Sequence, residues 1–363
     1  MIKILFIVPY PENESPSQRF RFEQYLKYLE ENNIAYTIAP FLDLATWKIF
    51  YHPGLYFKKA MGIINGIVRR FQLLKTLDNY DIVFIHREAC PVGPAYFEKL
   101  IAEKYKKKII FDFDDAIWLP NTSQANNSLA WLKKPEKTFD IISYAKHISA
   151  GNKYLADFSN TINQNVKIIP TTIDTNYHKV IEKETTEKEV VNIGWTGSAT
   201  TIEHYKLSYS FLSKIKEKYG DKVMFTVISN IPPENPPFEV NFLKWQKTTE
   251  ISDLNSFDIG IMPLPDDKWA KGKCGFKGLQ YMSLAIPAVM SPVGVNNEII
   301  TNAVNGYLPK NEEEWIEYLS LLIENPALRS EIGNAGAKNL ENNYSVNANK
   351  KKYLEMIQQV YHS

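Results

Sequence analysis

The residues with the clearest capacity for chemistry lie between positions 268 and 300. Lys268, Lys271, Lys273 and Lys277 are interspersed there with Gly272 and Gly275. An apolar run, 259–264, precedes them and is short enough for a buried strand. A helical segment, 276–285, and a second apolar run, 287–293, follow. Strand, basic glycine-bearing loop, helix and strand form a layout that offers backbone N–H groups and cations to a phosphate. An ordinary βαβ crossover with a lysine-rich surface loop has the same local pattern, so both readings stand at this point.

A second set of candidates falls at the ends of apolar runs in the first half. Residues 81–86 close on His86, and residues 108–113 run into Asp112, Asp114 and Asp115. In open α/β sheets, ligands collect outside the carboxyl ends of the strands. Asp112 adjoins a buried run and reads as structural, while Asp114 and Asp115 either serve a site or cap the next turn. Arg19 and Arg21 follow the first strand, facing either surface partners or an anionic ligand. Residues 190–197 close on Gly194-Trp-Thr-Gly-Ser198, and Ser198, Thr200 and Thr201 can cap a helix starting near 202.

These residues need a scaffold of alternating strands and helices. Strands are expected over 2–9, 34–41, 81–86, 108–113, 147–151 and 166–171, then 190–197, 222–229, 242–245, 259–264 and 287–293. Ser15, Pro16 and Gln18 form a candidate capping box for a first helix, on which Phe22, Leu26 and Leu29 recur at helical spacing. Helices are also expected over 93–105 and 250–257, and three more over 312–324, 327–342 and 347–361. The charged stretch 173–189, without apolar periodicity, reads as a linker between two αβ halves.

Composition bounds the class. The chain has 363 residues, 44% apolar and 23% charged, as a globular protein does, and length suggests two domains. A net charge of +1 implies no bulk attraction to nucleic acid. The cations are uneven, however: no Asp or Glu occurs between Asp43 and Asp78, where Lys48, Lys58, Lys59, Arg69, Arg70 and Lys75 accompany Trp47, Phe50, Tyr51, Tyr56 and Phe57. A basic, aromatic, acid-free segment over 47–77 can lie on an anionic bilayer surface, or can be a domain helix with a solvated basic face. Cys90 and Cys274 are too few for a disulfide framework, so a reducing, cytoplasmic setting is expected. The N-terminal run reads as a first strand and not as a signal peptide, and no apolar run is long enough to span a bilayer. Dinucleotide, P-loop, CxxC, HExxH and GxSxG signatures are missing, and six histidines show no metal spacing.

The second half resembles the nucleotide-sugar-binding domain of retaining glycosyltransferases of GT-B fold, family 4 ("group 1"). The resemblance is carried by Phe276-Lys-Gly-Leu-Gln-Tyr-Met-Ser-Leu-Ala-Ile-Pro-Ala-Val and by Ser291-Pro-Val-Gly-Val-Asn-Asn-Glu-Ile-Ile. Ile169-Pro-Thr-Thr-Ile-Asp-Thr is similar to the family's hinge phrase, and the strands at 3–9 and 81–86 also fit. It implies an α/β, GT-B architecture of two Rossmann-like βαβ domains facing across a cleft. The N-terminal, acceptor-side domain would span 1–172, the linker 173–189, and the donor-side domain 190–345. Residues 346–363 would form a helix crossing back to the first domain.

By position, the resemblance puts Lys277 on the donor diphosphate, Gln280 where the family has a ribose-binding Glu, and Gly197 and Ser198 beneath the phosphates. Lys271 or Lys273 would supply the charge that the family places just after that glycine. The family's other carboxylate falls on Gly272. Asp114 would be the catalytic-side carboxylate of the first domain, with Arg19, His86 and Asp115 on the acceptor or phosphate side. The implied activity is transfer of a sugar from a nucleotide diphosphate sugar to a glycan or lipid-linked acceptor, retaining and without metal or cofactor, in cell-surface polysaccharide or glycolipid synthesis. The enzyme would be cytoplasmic, with 47–77 as a possible peripheral contact to the inner face of the plasma membrane. Alternatives are a GT-A transferase using Asp112 and Asp114 for a metal, a GT-B epimerase, or a non-catalytic sugar-binding protein.

Overall fold

Strand β1 (Ile2–Val8) buries all of Ile4 to Val8. A strand buried on both faces reads as a continuous apolar run, as residues 4–8 do. In the computed structural model, which describes residues 1–50, 52, 54–120, 133–180 and 190–363, β1 pairs in parallel with β2 (Ile34–Pro40) and β3 (Ile82–His86). β4 (Lys108–Phe113), β5 (His147–Ala150) and β6 (Val166–Ile168) continue the sheet in the order β2-β1-β3-β4-β5-β6. Chain direction therefore reverses its march between β1 and β3, the switch point of this sheet.

The second sheet has order β11-β10-β7-β8-β9. It is built from β7 (Val191–Thr196), β8 (Val223–Ser229), β9 (Asn241–Lys244), β10 (Ile259–Met262) and β11 (Ala288–Met290), again all parallel. Its switch point lies between β7 and β10. Trp195, Phe225, Ile259, Ile261 and Val289 form the core of this layer with Phe211, Trp315 and Leu319 from flanking helices. The two sheets are the two parallel α/β domains expected. Contacts divide the described chain into one unit of Met1–Thr171 with Asn349–Ser363 and another of Thr172–Ala348. The last helix, Val346–His362, buries Tyr353, Met356, Ile357 and Val360, and the Tyr353 ring stacks on Tyr25 with centroids 4.4 Å apart. Of the stretch read as a linker, 181–189 lies outside the described residues. Ile173 ahead of it is buried and bonded to Tyr344 and Val346.

Three local expectations need correction. The capping box does not form: the Ser15 side chain makes no cap bond, and Gln18 turns inward to accept from Tyr10 N–H (2.9 Å) and donate to the Tyr10 carbonyl (3.0 Å). The first helix is broken, with Pro16–Arg19, a turn at Glu23–Tyr25 and Leu26–Glu31, although Phe22, Leu26 and Leu29 are all buried. The helix over 93–105 becomes one α turn, Tyr96–Lys99, followed by a π turn, Leu100–Lys104.

The basic stretch is also different from its expectation. Tyr51 and Pro53 within it lie outside the described residues, and most of the rest falls in helices Leu44–Phe50 and Tyr56–Leu74. Lys59 is buried and donates to the His52 carbonyl at 2.6 Å. Arg70 is buried too, donating to the carbonyls of Val8, Ala39 and Ala89 at 2.7–3.0 Å. Arg69 pairs with Asp43 at 3.1 Å and donates to Phe41 O. Half of the six cations therefore tie the helix to its own domain, because strand-end carbonyls offered partners that the local sequence does not show. Among the described residues, no helix is long and apolar enough to cross a membrane.

Candidate active site

In the second unit, β7 ends on Thr196 and turns at Gly197. A Cβ on Gly197 would sit 2.2 Å from the Trp195 ring and 2.7 Å from Thr201 Oγ1, so only glycine fits this turn. The Ser198 N–H donates to Thr201 Oγ1 at 3.0 Å, and Ser198 Oγ lies 2.9 Å from Thr200 Oγ1. These hydroxyls bind one another; none caps the following helix, Ile202–Lys206, as had been expected. Across the switch point, the Tyr281 phenol accepts from Thr196 N–H (3.1 Å) and donates to Ile261 O (3.2 Å), fastening the ends of β7 and β10.

The basic loop after β10 is more ordered than its composition suggests. Asp267 caps a short helix, Lys268–Lys271, by accepting from Ala270 N–H at 2.7 Å, and Lys271 pairs with Asp266 at 3.0 Å. Gly275, at φ +66°, then opens the helix Phe276–Ser283, and a Cβ there would meet Ile299 at 2.3 Å. Lys277 rises from the first turn of that helix, with Nζ 5.5 Å from the centroid of the buried Trp195 ring; Lys273 Nζ stands 5.0 Å from Trp269. Trp195 thus touches both the Gly197 turn and Lys277. His204, on the helix after that turn, feels both lysines. Burial first, then Lys277 and Lys273, push its imidazole down to about 4. Gly197, His204, Lys273 and Lys277 thus converge at the carboxyl ends of β7 and β10, where the two lysines concentrate positive charge.

Gln280 faces inward, 4% exposed, and its Nε2 donates to Glu250 Oε1 at 3.4 Å. Glu250 begins the helix Glu250–Leu254 and is itself buried. A carboxylate therefore accompanies the amide at this position. Neither Glu250 nor His204 was singled out from the sequence, since neither sits in a motif.

In the first unit, Asp112 at the end of β4 is the hub of a buried network. Its carboxylate takes Arg21 Nη2 and Ser149 Oγ (2.6 Å) on Oδ1, and lies 2.8 Å from His86 Nδ1 on Oδ2. Arg21 also donates to the Ile169 carbonyl. Burial alone would raise the Asp112 carboxyl, but Arg21 and His86 hold it well below the usual carboxylate range. Arg21, His86, Asp112 and Ser149 are all at most 1% exposed. Asp112 is thus structural, and Arg21 is its counter-ion and not a ligand of an outside anion. The metal-site alternative built on Asp112 loses its donor, because that carboxylate is already held by a guanidinium, an imidazole and a hydroxyl. Among the described residues, no three His, Cys, Asp or Glu side chains are grouped to hold a metal.

His86 itself is wholly enclosed; what lies outside it is Ser17, whose Oγ is 3.1 Å from His86 Nε2. Arg19, half-buried, has its guanidinium 5.0 Å from the Phe20 ring centroid. Arg87, which follows β3 in the left-handed region at φ +61°, donates to Asp114 Oδ1 through Nε (2.9 Å) and Nη2 (2.7 Å), and to Asp115 Oδ2. Asp114 and Asp115 are therefore a guanidinium-bound pair at the mouth of β4. Arg87 carried no signal in the sequence beyond its place at a strand end.

The family model "Glycosyl transferases group 1" matches residues 234–339, the stretch that holds Glu250, Lys273, Lys277 and Gln280. A glycosyltransferase from Rickettsia africae ESF-5 superposes with TM-score 0.70 at 15% identity, covering 99% of this chain and 98% of that one. A sucrose-phosphate synthase from Thermosynechococcus elongatus gives 0.71 at 9% identity over all of both chains. Anabaena HepE in complex with UDP-glucose gives 0.65 at 13%, covering 99% and 100%. No curated protein matches the chain. The fold is the GT-B fold of these structures, and residues 234–339 within it match the group 1 glycosyltransferase model.

Proposed function

We propose that the protein transfers a sugar from a nucleoside diphosphate sugar to a hydroxyl of a glycan or lipid-linked acceptor, with retention and without a metal, in the synthesis of a surface polysaccharide or glycolipid. The observation that carries the donor half of this reading is the convergence of Lys273, Lys277 and the Gly197 turn at the β7/β10 switch point. In the reaction the anomeric C–O bond breaks and its electron pair leaves with the diphosphate, while the acceptor oxygen bonds to the anomeric carbon and passes its proton to the departing diphosphate. The charge that grows on the diphosphate is offset by Lys277 and Lys273 beside the Gly197 turn. Glu250, beside Gln280, is placed to take the ribose hydroxyls together with the amide. Asp114, oriented by Arg87, serves as the hydroxyl-positioning carboxylate of the first unit, with Asp115 on the same guanidinium and Arg19 and His86 on the acceptor side.

That HepE and a starch synthase were solved with UDP-glucose and with ADP supports a nucleotide on this fold. The test is a thermal-shift screen against UDP-, GDP-, ADP- and TDP-sugars, followed by calorimetry on Lys277→Ala. The true donor stabilises by mass action, and loss of a charge-assisted phosphate contact weakens binding by about 1.5–3 kcal/mol. Equal donor affinity in wild type and Lys277→Ala would remove the diphosphate from this position.

A further inference from the structure

The helix Tyr56–Leu74 is amphipathic in the wrong sense for a domain in water. Its inward face carries Lys59, Gly62, Gly66, Arg70 and Leu74. Its outward face carries Phe57 (79% exposed), Met61, Ile64 (51%), Val68 and Phe71. Helices of soluble domains turn the apolar stripe to the core and the polar residues out. Here the inward glycines are required by close approach: a Cβ at Gly62 would sit 2.2 Å from Thr46 Cγ2, and at Gly66 2.6 Å from the Phe41 ring. Arg70 and Lys59 are anchored on backbone carbonyls, so the helix cannot roll to hide its stripe. The outward residues recur at steps of four and three, forming a continuous apolar strip about 21 Å long. Tyr56 and Leu55 extend the exposed apolar surface at its N-terminal end.

We infer that this strip is a bilayer-docking surface, lying in the interface of an anionic membrane with Phe57, Met61, Ile64, Val68 and Phe71 among the acyl chains. Charge selects this occupant over a second copy of the chain. No acidic residue lies between Asp43 and Asp78, and the exposed cations next to the strip in the chain are Lys58 and Lys75. Two such helices paired in either orientation would set lysines beside the seam with no carboxylate of the helix opposite them, Asp43 being already paired with Arg69, whereas self-pairing helices normally set opposite charges beside their apolar seam. An anionic headgroup layer complements the same cations. Affinity comes chiefly from the apolar strip. The paired or buried Arg69, Arg70 and Lys59 contribute little. The inference stands apart from the donor site, and its failure would leave that reading untouched.

The test is flotation of the full-length protein with phosphatidylcholine vesicles, with and without phosphatidylglycerol. Wild type should float with the anionic vesicles. The Ile64→Glu/Val68→Glu variant should lose binding by about tenfold or more, with circular dichroism and melting unchanged, since both positions are exposed. Lys58→Ala/Lys75→Ala should weaken binding less and reduce its salt dependence. An environment-sensitive dye on Phe57→Cys, beside the buried Cys90 and Cys274, should shift to the blue with vesicles and reports insertion even if the glutamate variant misfolds. Wild type that stays unbound, a dye that does not shift, or a wild-type dimer that the Ile64→Glu/Val68→Glu change converts to monomer would each overturn the inference.

Discussion

Gln280 donates its side-chain amide to Glu250, Nε2 to Oε1, at 3.4 Å in a buried position. Placing a carboxylate at 280, as the group 1 pattern does, would here set two carboxyl groups against each other. Gln280→Glu should therefore destabilise the second unit, with the new carboxyl's pKa raised by its neighbour. The sign follows: a raised folded pKa costs nothing while both states are protonated, and stability is lost as pH rises above the unfolded value of about 4.3. The melting deficit of Gln280→Glu should be larger at neutral than at acid pH, and Glu250→Gln in the same chain should restore it. A deficit independent of pH, or one that Glu250→Gln leaves in place, would mean that the two side chains do not act as a pair.

Asp112 and Arg21 are a buried ion pair in which each is the other's main compensation. Breaking such a pair from one side leaves an unpaired charge in the interior, at about 3–5 kcal/mol. Asp112→Asn should lower the free energy of unfolding by that order in urea titration. Arg21→Met with Asp112→Asn should cost less than the sum of the single changes. Additive losses would show that Arg21 and Asp112 are stabilised by their other partners, Ile169 and Ser149, and not by each other.

If the donor diphosphate seats on Lys273 and Lys277, His204 should link protonation to its binding. In the free protein its imidazole is pushed down to about 4 by burial and by Lys277 and Lys273, with Asp267 and Glu203 acting the other way. A diphosphate seated on those lysines would cancel their part of the shift but not that of burial, so between the ordinary 6.5 and about 4 the bound state holds more protons than the free state. Donor affinity should then rise as pH falls from below 6.5 toward about 4, and calorimetry in buffers of different ionisation enthalpy should show proton uptake. Both effects should vanish in His204→Asn. Without donor the linkage runs the opposite way. The neutral imidazole favours the folded state above the ordinary 6.5, and that contribution is lost as pH drops toward 4. Proton release on binding would remove the anion from Lys273 and Lys277.

Arg87 holds Asp114 and Asp115 together from a left-handed backbone position. If Asp114 positions a hydroxyl, Asp114→Asn should depress kcat with little change in donor affinity. Arg87→Lys, which keeps the charge but loses the two-pronged contact, should fall between wild type and Arg87→Ala. Wild-type turnover in Asp114→Asn, measured by release of the nucleoside diphosphate, would reduce the carboxylate to a bracket for the Arg87 turn.

Much of this protein was already determined by local pattern. Apolar runs such as 4–8 and 259–262 are buried on both faces whatever surrounds them, so strand positions, two parallel sheets and the lysine-bearing loop after β10 follow from the sequence. The resemblance in 276–300 added the group 1 reading. The partner of each charged or polar side chain was decided only by the tertiary structure. Arg21 meets Asp112 across 91 residues, Gln280 meets Glu250 across 30, and Gln18 abandons a capping role for the Tyr10 backbone. The helix at 56–74 shows the same division. Its periodicity is plain in the sequence, yet which face turns inward was settled by Thr46, Phe41 and the strand-end carbonyls that receive Lys59 and Arg70. Periodicity is a property of one segment and survives any surroundings. A buried charge takes its partner from whatever the folded chain brings within about 3 Å, and sequence distance carries no information about that.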